Sequence, residues 1–239
     1  MDRRTSKYYC YLGQQQRCSY LPYRISQVAY LDPDSDVSTE QYSELVKLGF
    51  RRSGRYVYRP SCPDCQSCQT LRIPTKEFVM SRSQQRNWRR NRDVAVHRLP
   101  PVFQQAHFSL YQRYQQQRHP DSNMASSSTE DYLDFLTCPN ITTEFAELRI
   151  RDRLLAVAVY DCLDDGLSAV YTFFDPELSA RGPGVYSVLW QIAEAENRGL
   201  DWLYLGYWIK NCRKMSYKDN FRPCQILVNG RWQNMPGHG

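Results

Sequence analysis

Between Phe145 and Phe174 apolar residues recur at every second position, and the alternation is interrupted twice by tight turns, Arg151-Asp152-Arg153 and Asp164-Asp165-Gly166. Successive side chains of a strand point to opposite faces, so the pattern predicts an antiparallel meander of strands over 145–150, 154–161 and 167–174. A Gly/Pro-bearing loop, DPELSARGPGV, follows, and then a run with Val185, Val188, Leu189, Ile192 and Ala193 on one helical face. Gly199 stops that helix at about residue 198, and Trp202–Trp208 reads as a further strand. Ahead of the meander, Phe103, His107, Leu110, Tyr111 and Tyr114 repeat at helical spacing until Pro120. A second helix, capped by Ser128 or Thr129, turns Tyr132, Leu133, Phe135 and Leu136 inward. Behind the strand at 202–208, a polar, basic connection over 211–223 leads to a closing strand and hairpin, CQILVNGRW.

Helix, helix, meander, glycine-bearing loop, helix, strand is the order that a GNAT-type acyltransferase would show. The expected fold class is therefore α+β: a GNAT-like acyltransferase domain over residues 100–239, preceded by a smaller basic Cys-containing domain over 1–99. The boundary is placed at Pro100-Pro101. In a fold of that type the loop after the central strand aims backbone N–H groups at a phosphate, where the helix dipole favours an anion. Arg181, Gly182 and Gly184 would form that cradle, although the same residues also make an ordinary strand-to-helix turn.

The front of the chain has a different character. Residues 1–99 carry 18 Lys and Arg against 9 Asp and Glu, whereas residues 100–239 carry 13 against 16. Binding to a polyanion is thus expected at the front, with a solvated basic face as the alternative. Pro22 excludes a helix interior, residues 28–31 read as a strand, and Thr39 caps a helix that buries Tyr42, Leu45, Val46 and Leu48 before Gly49. A short strand over 55–59 carries a loop with Cys62, Cys65 and Cys68 at Cys-x-x-Cys-x-x-Cys spacing, and 71–73 resumes an extended run. A helix capped by Ser81 then places Arg82, Arg86, Arg89 and Arg90 on one face, which repels itself unless an anion is present. Trp88 beside the stripe would either stack on a base or anchor the helix. His97, His107, His119 and His238 form no ligand spacing. Nine cysteines, an odd number, with no apolar signal region and no transmembrane run point to a reducing cytoplasm, in which clustered thiols lean towards metal, redox or buried roles.

Several strings carry a closer resemblance: CSYLPYR, GFRRSGRYVYRPSCPDCQSC, RIP and SRSQQRNWRRNRD at the front, VYTFFDPELSARGPGVYSVLW and YLGYWIKNCRKMSYKDNFRP behind. Together they resemble the arginyl-tRNA–protein transferase family, and the short length resembles its bacterial aspartate/glutamate leucyltransferase branch. The resemblance implies transfer of leucine from leucyl-tRNA to the N-terminal amine of proteins that begin with Asp or Glu, a mark for the N-degron pathway. Arginyl transfer from arginyl-tRNA, or a non-catalytic Cys-metal RNA-binding protein, are the alternatives. The partners implied are aminoacyl-tRNA and acidic-start proteins, with no membrane.

Aminolysis of an ester needs an oriented neutral amine, a proton acceptor and donors for the oxyanion. On this resemblance Asp175 is the expected general base, accompanied by Tyr171, Tyr207 and Tyr217, while a turn-forming role for Asp175 before Pro176 stays open. Lys214 and Lys218 would meet tRNA phosphate or the acidic side chain of the target, together with the arginine stripe and the 181–184 loop. A bidentate arginine suits an acidic N-terminal residue, and Arg72, Arg82 and Arg213 are the candidates. An activated ester requires no cofactor. The three loop thiols, with Cys18 or Cys10 as a fourth, would suit Zn²⁺ or an iron–sulfur cluster of structural purpose, with reduced buried thiols as the alternative.

Overall fold

The computed structural model describes residues 8–32, 34–118, 120 and 123–236, the side chains at 123 and 125 excepted. His119 and His238 lie outside the described residues. The front of the chain forms β1 (Cys10–Leu12), the short pair β2 (Gln16–Arg17) and β3 (Ile25–Ser26), β4 (Val28–Leu31), α1 (Thr39–Lys47), β5 (Arg51–Ser53) and β6 (Tyr56–Pro60). β1, β4, β6 and β5 make a four-stranded antiparallel sheet in that order. Ser38, one residue before the expected cap, closes α1 in a capping box with Gln41, and the Thr39 hydroxyl instead accepts from the Thr142 N–H at 2.9 Å. Tyr42, Leu45 and Val46 are buried as expected, but Leu48 is 57% exposed. It is the C-cap, beyond the helical face, and Gly49 at φ +88° turns the chain back.

The remaining elements are β7 (Gln69–Pro74), α2 (Arg82–Arg90), β8 (Ala95–Leu99), α3 (Gln105–Arg118), α4 (Thr129–Leu136), β9 (Thr143–Ile150), β10 (Arg153–Cys162), β11 (Gly166–Phe174), α5 (Pro183–Asn197), β12 (Trp202–Trp208), one turn of helix α6 (Arg213–Ser216), β13 (Gln225–Val228) and β14 (Arg231–Asn234). The meander 9-10-11 and the helix-then-strand after it are thus present. The β strands form an eight-stranded sheet in the order β14-β13-β7-β12-β11-β10-β9-β8. β11 and β12 are parallel, and α5 makes the crossover between them. On one face α5 seals a core of Val188, Leu189 and Ile192 against Leu155, Leu167 and Leu203. Another core packs α3 and α4, through Leu110, Tyr111, Tyr132 and Leu136, onto Phe145, Val157 and Phe173.

Strands from both sides of the expected boundary at 99/100 share this sheet. β7 lies between β12 and β13, β8 pairs with β9, and Leu71 and Ile73 are fully buried in the same core as Leu203. Pro100-Pro101 therefore interrupts the chain without closing a separately packed unit. The front sheet is also tied down by a buried ion pair: Arg52 on β5 holds Asp161 on β10 through Nε at 2.8 Å and Nη2 at 2.6 Å. Thr143 and the Leu136 carbonyl satisfy what remains of that pair, the condition under which a buried charge pair is tolerated. No described helix is long and apolar enough to cross a membrane.

Candidate active site

The parallel pair β11/β12 is hydrogen-bonded only where the strands begin, at Gly166↔Trp202, Leu167↔Leu203 and Ser168↔Tyr204. A bulge in β12 between Tyr204 and Gly206 ends that register, and the two strands part as β11 continues to Phe174 and β12 to Trp208. The parting leaves carbonyls without ladder partners at the heart of the sheet, and two cations take them. Arg51, from β5, donates to Ser168 Oγ at 2.8 Å and to the Ala169 carbonyl. Lys218 donates to the Tyr207 carbonyl at 2.7 Å. Gly206, at φ +75°, admits the guanidinium, since a Cβ there would stand 3.1 Å from Arg51 Nε. Burial, followed by the Arg51 charge, lowers Lys218 from its ordinary value to about 7.

Of the four residues expected at the reacting atoms, the structure groups three around this fork and commits two of those to other bonds. The Tyr207 hydroxyl donates to the Gly49 carbonyl at 2.9 Å, and burial pushes its pKa well up. Tyr171 sits on β11 among Tyr111, Tyr114 and Phe135, and its hydroxyl accepts from Gln115 Nε2 at 2.8 Å. Tyr217 is 46% exposed and in electrostatic reach of Tyr114. Asp175 is the exception, because it lies beyond the end of β11. Its carboxylate accepts from Arg153 Nε at 3.0 Å and Nη2 at 2.6 Å and from the Glu177 N–H at 3.1 Å, capping the turn over 176–181. That is the turn-forming role, and it engages both oxygens of the carboxylate through three hydrogen bonds.

α2 is where the sequence places it, with Ser81 and Gln84 in a capping box. Arg82, Arg86, Arg89 and Arg90 are exposed, and among the described residues none of the four has a carboxylate partner. Trp88 anchors the helix on Tyr186, ring centroids 5.2 Å apart. Arg86, Arg90, Val185 and Tyr217 line an open groove of about 740 Å³ between α2, the start of α5 and the 217–222 segment. The 181–184 loop is held by α2 itself. Asn87 Nδ2 donates to the Arg181 and Gly182 carbonyls, Asn91 Nδ2 donates to the Arg181 carbonyl, and Arg90 donates to the Ala180 carbonyl at 2.6 Å. Gly182, at φ +67°, has Asn87 Nδ2 2.4 Å from where a Cβ would stand, and Gly184 sits in the first turn of α5. Arg181 bonds Asn91, the Arg90 carbonyl and Asp93, so it fastens the loop to α2 instead of reaching outward.

Of the remaining cations, Arg213 and Lys214 are exposed on α6. Arg72 is sandwiched between the rings of Trp202 and Trp232, at 3.5 and 4.2 Å, and its Nη2 bonds Gln225 Oε1 at 2.7 Å. It therefore stands beside Trp202 and Tyr204, where β11 and β12 are still paired, with its guanidinium already engaged. Lys218 turns its ammonium into the fork. Arg51 lies in the GFRRSG string of the resemblance, but its role had no local signal, since an Arg-Arg pair just past a glycine turn reads as surface.

Cys18, Cys65 and Cys68 gather with Cys212 around Leu21 and Ile209. Burial, and then the nearby thiols of Cys62, Cys18, Cys65 and Cys212, push Cys68 up to about 12. The Cys62 sulfur accepts from the Gln27 N–H at 3.4 Å, and Cys10 lies exposed on β1. The expected ligands are thus neighbours, joined by Cys212, which the sequence did not single out. Yet no three described His, Cys, Asp or Glu residues are arranged to hold a metal ion. The thiols as placed fit a half-buried apolar cluster and not a coordination shell, so no step of the chemistry is derived through a metal.

Comparison with known proteins covers both halves of the chain. The profile of the family "Arginine-tRNA-protein transferase, C terminus" matches residues 106–228, and that of its N terminus matches residues 16–86. The aspartate/glutamate leucyltransferase of Hahella chejuensis (strain KCTC 2396) is 47% identical over 222 residues, 93% of this chain and 95% of that one. The protein of the same name from Pseudomonas fluorescens (strain Pf0-1) is 46% identical over 93% of this chain and 94% of its own. Among solved structures, FemX matches over 83% of this chain and 79% of its own at 9% identity and a TM-score of 0.47. L-PGS from Bacillus licheniformis matches over 71% and 59% at 12% identity and a TM-score of 0.49. These two likenesses are too loose to carry an argument.

Proposed function

The chain belongs to the arginine-tRNA-protein transferase family, and on that premise we propose that it transfers leucine from leucyl-tRNA to the N-terminal amine of proteins beginning with Asp or Glu. The observation that carries this reading is the 47% identity to an aspartate/glutamate leucyltransferase along 93% of this chain and 95% of that one. We read the parted β11/β12 pair as the acyl-transfer fork of a GNAT-like fold, and the cytoplasm, where aminoacyl-tRNA is made, as the place of action.

In this reaction the amine nitrogen of the target bonds to the leucyl carbonyl carbon. The bond from that carbon to the tRNA ribose oxygen breaks, and the proton lost by the amine ends on the ribose hydroxyl. The ester is already activated, so the protein's task is to align two large substrates and to hold the developing charge. Arg82, Arg86 and Arg89, exposed and without carboxylate partners, take tRNA phosphates. The groove between α2 and the start of α5, lined by Arg86, Arg90 and Tyr217, receives the charged end of the tRNA. Tyr114 and Phe174, their ring centroids 4.9 Å apart, offer an apolar rim for the leucyl side chain. Tyr217 donates to the departing ribose oxygen, a role supported by its exposure in the groove.

The donor is tested by giving the purified chain leucyl-tRNA or arginyl-tRNA together with a peptide beginning with Asp. Leucine alone is expected on the peptide. Arginine alone would make the chain an arginyltransferase, and neither amino acid on the peptide would leave only a tRNA-binding protein.

A further inference from the structure

The fork contains an excess of positive charge that the fold itself does not offset. Arg51 is 7% exposed, and Lys218 is half-buried beside it. Their polar contacts are neutral: Ser168 Oγ and the Ala169 carbonyl for Arg51, the Tyr207 carbonyl for Lys218. Among the described residues neither cation has a carboxylate partner. The nearby acids are taken elsewhere, Asp161 by Arg52, and Asp165 by Lys47 and Tyr204. Two cations drawn out of water side by side destabilise a fold, and here part of the strain falls on the Lys218 proton, which is held less tightly than that of a surface lysine.

Resting on the leucyltransferase reading, we infer that Arg51 and Lys218 form the pocket that binds the side-chain carboxylate of the target protein's N-terminal Asp or Glu. The carboxylate supplies the missing negative charge between the two cations, and the short methylene stem holds the α-amine further out, where the strands have parted. The charge and position of the two groups favour this occupant. Arg51 donates to Ser168 Oγ at the last paired residues, Ser168↔Tyr204, so its charge stands where the two strands begin to part. The phosphates of a tRNA meet the exposed arginines of α2 first. An Asn or Gln side chain has the same shape but leaves both cations uncompensated, so it is excluded by charge.

The test is the affinity of the protein for two peptides that differ only in beginning with Asp or Asn, measured by calorimetry without tRNA. The wild-type chain should prefer the Asp peptide by roughly 30-fold or more, the scale set by desolvated charge pairs. Lys218→Met should reduce that preference to a few-fold at most, and Lys218→Arg should retain most of it. Equal affinities in the wild type, or an undiminished preference in folded Lys218→Met, would overturn the inference. Should Lys218→Met fail to fold, the wild type gives the answer by itself: the Asp peptide should protect Lys218 from acylation and the Asn peptide should not. Absence of such protection would also overturn it. A wild type that binds the Asp peptide selectively yet transfers no leucine would defeat the leucyltransferase reading and leave this pocket standing.

Discussion

Asp175 stands at the end of a strand in an acyltransferase-like order, next to a proline, and both of its oxygens are used by neighbours. Arg153 takes Oδ2 and the Glu177 N–H takes Oδ1. We expect Asp175→Ala to lose about 1–2 kcal/mol of stability in urea denaturation, from the missing cap and its buried acceptor. Asn, itself a good cap, should lose less, and in both variants leucine transfer per folded molecule should be little changed. A large loss of transfer at unchanged stability would return Asp175 to the role of base. The sequence left both roles open because the deciding partner, Arg153, lies 22 residues away on an adjacent strand and carries no local signal. Arg51 is the converse case. Its role depends on 117 residues of separation from Ser168, so no local pattern could reveal it.

The helix α2 was legible as an element, in its cap, its length and its arginine face, because each of these is a short-range property of the chain. Its second role was not legible. Asn87 and Arg90 on α2, with its C-cap Asn91, hold the 180–182 backbone at the mouth of α5, and these contacts join residues about 90 positions apart. The two roles separate by mutation. Arg86→Ala and Arg89→Ala, on exposed side chains, should weaken tRNA binding. Each should flatten the slope of log affinity against log salt by about 0.7–0.9 for a lost phosphate contact. An unchanged slope in both variants would remove the stripe from the tRNA interface. Trp88 belongs to the packing side of the same helix, stacked on Tyr186, which settles between its two sequence readings.

At the scale of the molecule, the meander, the crossover helix and the following strand were readable, since periodicity and turn chemistry act locally. The sharing of one sheet by both halves was not. β7 is a six-residue strand whose two neighbours, β12 and β13, come more than a hundred residues later, and β8 exposes much of one face and shows little apolar pattern. On the proposed reading the front half does more than dock tRNA. It sends Arg51 from β5 to Ser168 on β11 and lays β7 along β12, so the proposed transfer site draws on both halves. The most direct test is one reaction in which leucyl-tRNA is offered to a mixture of peptides that begin with Asp, Glu, Asn or Gln, with the products resolved by mass spectrometry. Leucine is expected on the Asp and Glu peptides in preference to their amides by roughly a hundredfold or more. Leucine spread evenly over all four peptides, or absent from the two acidic ones, would contradict the account.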